Sequence, residues 1–182
     1  TWRRSDLYLE VAGFDATPYA GLEKNLRTQG IVIRTYADLA DDPDRLAKLY
    51  ELDWSLWQDI PYFGQTVVKR SLEQFANAEV HHPKFIADAC FIAVKDDELI
   101  GYSNLSATDT GFNIEMTGVL RLYRGQGVAT LLKLYGIQYT QVHGNGRLST
   151  VNDAVNTAVL ALNQKFGFLQ KGAMLRFTKR IG

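Results

Sequence analysis

Cysteine is almost missing from this chain. Cys90 is the only one in 182 residues, so no internal disulfide can form, and the usage fits a reducing, cytoplasmic compartment. No apolar run reaches the length of a membrane span, and the N-terminus does not read as a signal peptide, so no membrane partner is expected. Neither sign of charge is in excess: 20 Lys and Arg balance 20 Asp and Glu, and no global field draws the chain to nucleic acid. No internal repeat or low-complexity linker interrupts it. No Cys, His or acidic cluster has metal-ligand spacing either; His81-His82-Pro83 reads as a surface turn, and no metal is expected.

What is present is an ordinary globular composition, 46% apolar and 22% charged, in a chain long enough for one well-buried domain. Residues 7–11 alternate like a short strand. Tyr19, Leu22 and Leu26 share a helical face that Gly30 ends, and residues 31–36 are rich in β-branched side chains. Asp42 and Pro43 predict the cap and first position of a helix burying Leu46, Leu49, Tyr50 and Trp57 and stopping before Pro61. Ser71 with Gln74 predicts a capping box opening a helix to about residue 79. Residues 90–107 read as two strands around an Asp96-Asp97 turn, and 112–120 as a third.

Val128, Leu131, Leu132, Tyr135, Tyr139 and Val142 then fall at helical spacing, up to Gly144-Asn145-Gly146. A strand over 147–151 leads to Asp153, which can cap a helix with Ala158, Val159, Leu162 and Phe166 on its apolar face. Gly167 stops that helix, and residues 173–180 alternate as a last strand. From residue 31 the order is β-α-α-β-β-β-loop-α-β-α-β, a mixed α/β (α+β) domain over 31–182. Residues 1–30 form an N-terminal strand and helix connector.

The stretch "LYRGQGVAT", residues 122–130, joins the third strand of the meander to a helix. It is not a Walker A loop, because Val128 rather than lysine follows Gly127. Nor is it a dinucleotide fingerprint: Thr130 stands in the third glycine position, and the preceding strand belongs to a meander rather than a βαβ unit. The physics of an anion site remains. A helix starting near Val128 leaves its first amides unpaired at the positive end of its dipole. Gly125 and Gly127 let the backbone bend around an anion, Gln126 lies between them, Ala129 adds little bulk, and Arg124 puts a fixed charge at the rim. The alternative for the glycines alone is a tight strand-to-helix turn with a solvated arginine.

The pattern Arg124-x-x-Gly127-x-Ala129, after a strand and opening a helix, resembles the acyl-CoA loop of the GNAT superfamily of N-acetyltransferases. A second stretch, "NTAVLALNQKFGF" (156–168), resembles that family's last helix and the Gly-Phe that follows it. The resemblance implies a central mixed, mostly antiparallel sheet flanked by helices, with the loop between the fourth strand and third helix of the domain. It also implies that acetyl-CoA is the cosubstrate. The amides of Arg124, Gly125, Gln126, Gly127, Val128, Ala129 and Thr130 would hold the pyrophosphate. Thr117, Gly118 and Val119 would pair with the pantetheine arm, an amide near Val119 would polarise the thioester carbonyl, and Asn156 would sit beside the arm.

Within the superfamily, Thr117-Gly118-Val119, Arg124-Gly125, Lys133, Thr150, Asn152, Asn156, Asn163 and Gly167-Phe168 are similar to the mycothiol-synthase-like tandem subgroup. There Asn152 and Asn163 would join the cofactor site. The opening "SDLYLEVAGFD" looks like the connector after a first domain of such a chain, which the start at Thr1 also suggests. A homodimer or a covalently joined second domain are the partner arrangements implied.

For catalysis the resemblance implies a general base on the strand before the loop. Glu115 is the only carboxylate of that strand and shares alternation with Thr117 and Val119; Glu98, Asp59 and Asp53 are the other candidates. The position of the family's usual acid, a tyrosine, holds Asn163 instead. Tyr135 and Tyr139 could replace it, but their helical spacing reads as core. Residues 50–64, with Trp54, Trp57, Asp59, Tyr62 and Phe63, are the candidate bed for a small-molecule amine. Trp57 is read as core, Cys90 as a buried hydrophobe and His143 as a helix-end charge. The expected reaction is direct acetyl transfer from acetyl-CoA to a primary amine in a ternary complex. The alternative is an inert CoA-binding half of a larger tandem protein.

Overall fold

In the computed structural model, which describes residues 2–60, 68–144 and 146–176, seven strands form one sheet in the order β2-β3-β4-β5-β6-β1-β7. The strands are β1 (Trp2–Glu10), β2 (Ile31–Thr35), β3 (Cys90–Lys95), β4 (Glu98–Thr108), β5 (Gly111–Val119), β6 (Arg147–Asp153) and β7 (Leu169–Arg176). The helices are α1 (Leu22–Thr28), α2 (Arg45–Trp57), α3 (Leu72–Phe75), α4 (Val128–His143) and α5 (Thr157–Lys165). Neighbouring strands are antiparallel except β5 and β6. The expected class, a mostly antiparallel mixed sheet flanked by helices, is the one observed.

Two cores cover the two faces of the sheet. On one, Leu26 of α1 and Val128, Leu131, Leu132 and Ile137 of α4 meet Phe91, Leu105, Ile114 and Leu148. On the other, Leu49, Leu52 and Leu56 of α2 and Phe75 of α3 meet Ile92, Leu99 and Tyr102. Only α4 is buried nearly all round, being wedged between the sheet and its helical neighbours; Val142, expected on its apolar face, is 76% exposed at its far end.

Local signals hold where the chain decides locally. The capping box forms in both directions: Gln74 N–H donates to Ser71 Oγ (3.2 Å) and Ser71 N–H to Gln74 Oε1 (2.9 Å). Asp96 and Asp97 carry φ of 48° and 64°, as a two-residue hairpin turn with right-twisted strands requires.

Other boundaries move. Helix α2 begins at Arg45 rather than Pro43: residues 42–45 form a turn closed by Arg45 N–H to the Asp42 carbonyl (3.2 Å). The Asp42 carboxylate accepts from Asp44 N–H (2.8 Å) and Lys48 Nζ (2.6 Å), and the first helical bond is Lys48 N–H to the Asp44 carbonyl (2.9 Å). Asp153 does not cap α5; it ends β6 and accepts from Val155 N–H, and Asn156 is the cap, accepting from Val159 N–H at 3.4 Å. The last strand starts at Leu169, four residues before the expected start, and the expected residues 177–180 lie outside the described residues.

The first strand differs most from its expectation. It begins at Trp2 and lies inside the sheet, antiparallel to β6 (Arg4 opposite Asp153, Glu10 opposite Arg147) and to β7. Its early residues are polar, and backbone pairing on both edges, not hydrophobicity, holds them extended.

The parallel pairing of β5 with β6 starts at an unusually close approach. A Cβ on Gly111, whose φ is +141°, would lie 2.0 Å from the Arg147 carbonyl oxygen. Gly111→Ala is expected to cost about 3 kcal/mol from the strained φ and the backbone overlap together. Urea unfolding checks it, and a midpoint equal to wild type would contradict that reading of the approach.

Candidate functional site

The site is a wedge between β5 and β6. Their pairing runs only from Gly111–Arg147 to Ile114–Thr150, although β5 continues to Val119 and β6 to Asp153. A β-bulge separates them. Leu105 of β4 opposes Ile114 but Asn104 opposes Met116, so Glu115 is the extra residue. The bulge inverts the alternation: Ile114 lies in the α4-side core, while Met116, two residues on, packs on the α2 side. The expected parity of Glu115 with Thr117 and Val119 is thereby broken. Glu115 is exposed to the wedge, where its Oε1 accepts from Asn113 Nδ2 (2.9 Å) and from Ser106 Oγ.

Beyond the bulge β5 presents a backbone edge. Leu120 N–H donates to the Ile100 carbonyl (2.9 Å), and antiparallel alternation then turns the amides of Thr117 and Val119 away from β4, into the wedge. Gly118 fits beneath α2, since a Cβ there would lie 2.7 Å from Leu56 Cδ1.

The glycine loop closes the upper end of the wedge. Gly125 and Gly127 hold φ of +77° and +93°, and α4 starts at Val128 without a side-chain cap. The first helical bond of α4 is Leu131 N–H to the Gly127 carbonyl (2.9 Å), so the amides of Val128, Ala129 and Thr130 point out of the helix end. The Val128 side chain belongs to the core, which leaves only its backbone at the helix end. Gln126 turns its amide back onto the Leu122 carbonyl.

Arg124 is anchored rather than solvated. Its Nε donates to the Val119 carbonyl (2.8 Å) and its Nη2 to Asp59 (2.6 Å), whose other oxygen binds Arg121. The two guanidiniums, Arg121 foremost, hold the Asp59 carboxyl below the usual range. That leaves Asp59 a poor proton acceptor.

Two adjoining cavities fill the wedge. One, of about 380 Å³, runs along Gly118, Val119, Arg124, Ala129 and Asn156. The other, of about 450 Å³, is lined by Glu115, Thr117, Lys133, Asn152 and Asn156, with Trp57 of α2 above and Arg4 and Asp6 of β1 at its mouth. Trp57, expected in the core, is half-buried and lines this cavity instead. Asn163 is fully buried and sits behind Asn152, donating from Nδ2 to Asn152 Oδ1 (2.6 Å).

The remaining candidates lie elsewhere. Asp53 is buried under the α2-side core, accepts from Tyr102 OH (2.5 Å), and burial raises its carboxyl. Glu98 accepts from Tyr123 OH near the β3–β4 hairpin (2.9 Å). Tyr135 donates to Glu23 (3.1 Å), and Tyr139 packs among Phe91, Phe112 and His143. Burial pushes the Cys90 thiol up to about 12. Tyr62 and Phe63 lie outside the described residues. Among the described residues no group of three His, Cys, Asp or Glu could hold a metal, and no helix is long and apolar enough to cross a membrane.

The contribution of β1 to the cavity was not legible in the sequence, and Lys133 stands there only as part of the subgroup resemblance, with no site role attached. Arg4 and Asp6 arrive through strand pairing, and Lys133 is one position in a helix that reads as apolar.

Comparison with known proteins agrees with this architecture. The model of the acetyltransferase (GNAT) family matches residues 46–168. No curated protein matches the sequence. A GCN5-related N-acetyltransferase from Sphaerobacter thermophilus superposes with a TM-score of 0.63 at 18% identity, over 94% of this chain and 49% of its own. The glucosamine N-acetyltransferase region of a fungal multi-domain beta-N-acetylglucosaminidase gives 0.66 at 14% identity, over 94% and 21%. The aminoglycoside N-acetyltransferase AAC(6')-Iy, bound to the bisubstrate analogue CoA-S-monomethyl-acetylneamine, gives 0.59 at 19% identity, over 83% and 99%. The chain thus spans about half the length of the Sphaerobacter protein and a fifth of the fungal one.

Proposed function

The chain belongs to the acetyltransferase (GNAT) family, and from that membership we propose that it transfers an acetyl group from acetyl-CoA to a primary amine of a small molecule, by direct attack in a ternary complex. One observation carries the reading: the β5–β6 wedge runs continuously into the uncapped start of α4. A diphosphate and an extended thioester arm need such a combination, an anion site at one end and a free strand edge along the other.

Bound acetyl-CoA supplies an activated acyl group. The protein holds its pyrophosphate on the amides from Gly125 to Thr130 and lays its arm along Thr117, Gly118 and Val119, with Asn156 at its side. The Val119 amide faces the thioester oxygen and stabilises the negative charge gathering there. Glu115 accepts a proton from the amine. Carboxylates of Glu115, Asp6 and Asp153 around the second cavity, against Arg4 and Lys133, favour a cationic acceptor.

Arg124 acts by fixing the turn between Val119 and the glycine loop as well as by charge. Arg124→Ala is expected to weaken acetyl-CoA binding about tenfold, the loss of one charge-assisted contact. Calorimetric titration checks this, and an unchanged affinity would count against the loop as the pyrophosphate site.

The function itself is tested by thiol release from acetyl-CoA with glucosamine, neamine and an N-terminal alanine peptide, alongside CoA affinity. Turnover on any of them supports the transferase. A second reading, an inert CoA-binding half, is favoured by Asn163, an amide that cannot donate a proton where the family's tyrosine would stand. Tight CoA binding without turnover on a wide amine panel would select it. The tandem-subgroup resemblance and a second domain or copy as partner belong to the same reading. The single buried thiol of Cys90 supports a cytoplasmic setting.

A further inference from the structure

Lys133 is the anomaly of the interior. It lies on α4 with 1% of its surface exposed, yet it lines the larger wedge cavity opposite Thr117. Among the described residues it makes no ion pair and no hydrogen bond; its Nζ stands 5.4 Å from the centre of the Phe168 ring. Asn163 Nδ2 binds Asn152, and Asn163 Oδ1 is buried with no hydrogen-bond partner among the described residues. An amine buried at this depth without a carboxylate is costly unless something that enters the cavity engages it.

The depth along the wedge identifies what enters. Lys133 stands five residues past the start of α4, about 7.5 Å down the helix axis, and lines the cavity together with Glu115, Met116 and Thr117. If the arm of acetyl-CoA runs from the loop along Thr117–Val119, as proposed above, its sulfur reaches this level. The inference rests on that reading. We propose that Lys133 faces the sulfur of bound CoA and gives its proton to the departing thiolate, the service a tyrosine at position 163 would perform and Asn163 cannot.

The step balances within the reaction. The amine nitrogen bonds to the acyl carbon, and the carbon–sulfur bond breaks with its electron pair on sulfur. A proton passes from Lys133 Nζ to that sulfur, leaving CoA thiol and a neutral amine on Lys133. The proton lost by the acceptor amine goes to Glu115 and then to water, and Lys133 is recharged from solvent. Burial lowers the Lys133 ammonium to about 7, so it parts with a proton readily at neutral pH. The titratable groups lining the same cavity are Glu115 from β5, Arg4 and Asp6 from β1 and Asp153 from β6; α5 contributes only Asn156 and Val159.

The test needs no acceptor. CoA bound to the wild-type protein is titrated by its ultraviolet thiolate absorbance, and CoA is compared with desulfo-CoA for affinity. Where Lys133 holds its proton, near and below pH 7, a cation at the sulfur should lower the bound thiol by about one unit relative to free CoA, giving roughly a tenfold larger thiolate fraction there. In Lys133→Met the shift and the preference for CoA over desulfo-CoA should both vanish, while desulfo-CoA binds as before. An ordinary thiol titration in wild type would overturn the proposal without any variant. So would a shift that persists in Lys133→Met. Failure of the wild-type protein to bind either compound would instead sink the transferase reading on which it rests. With any amine that turns over, Lys133→Met should also lower kcat about 100-fold with little change in KM for acetyl-CoA. Lys133→Arg, charged but too weak an acid, should not restore it; restoration by arginine would assign the residue to electrostatics alone.

Discussion

A Glu115→Gln variant is expected to lose about 100-fold or more in kcat at neutral pH while keeping its affinity for acetyl-CoA. An alkyl ammonium titrates near 10, so deprotonating the acceptor at pH 7 costs about 4 kcal/mol unless a base assists. Glu115 is the carboxylate that the β5 bulge turns into the wedge, steadied by Ser106 and Asn113. Glutamine keeps the shape and an acceptor oxygen for those two contacts and removes only the charge. Steady-state rates against an amine that turns over, with calorimetric acetyl-CoA affinities, separate the two effects. Undiminished kcat would remove Glu115 from the role and leave water or the free amine as the proton's route.

The second large effect concerns stability, and its sign follows from burial. Lysine in the unfolded chain titrates near 10.5, and Lys133 in the folded protein at about 7. Below pH 7 both states hold the proton, and the folded state bears the full cost of a buried ammonium. Between about 7 and 10.5 only the unfolded chain binds it, so stability rises with pH. Above that range both are neutral and the cost is gone.

Lys133→Met, similar in length and without charge, should therefore be more stable than wild type by roughly 4 kcal/mol at pH 7. For a chain of this size that is about 10 °C in Tm. The gain should shrink as pH approaches 10.5. Urea midpoints at pH 6, 8 and 10 measure it, and a constant difference across that range would show that Lys133 keeps its proton in the folded protein. Stability gained together with catalysis lost is the pattern expected where a buried charge is kept for chemistry.

Much of the architecture is local enough to be written in neighbouring residues. Ser71 and Gln74 cap each other across three positions, and Asp96-Asp97 turn a hairpin between two apolar runs. Gly125 and Gly127 adopt the positive φ that their place between strand and helix demands. Where a polar residue had two local partners to choose from, the sequence left the matter open. Asp42 bonded Asp44 and Lys48 across a turn while the helix began only at Arg45, and Asp153 closed a turn while Asn156 took the cap.

The sequence by itself determined the mixed α/β order, the glycine turn into α4 and the one carboxylate on the strand before it. Each depends on residues within a turn or two of one another, where propensity and steric limits act without help. Tertiary structure alone decided that β1 lies between β6 and β7 and brings Arg4 and Asp6 to the cavity. It alone tied Arg124 to Asp59, 65 positions away, and turned Glu115 out of its alternation by a bulge that only the β4 partner defines. It also made Lys133 a buried charge rather than a solvated one. Those outcomes are set by the solvent each group loses and the partner it meets, and neither quantity exists until the sheet has closed around α4.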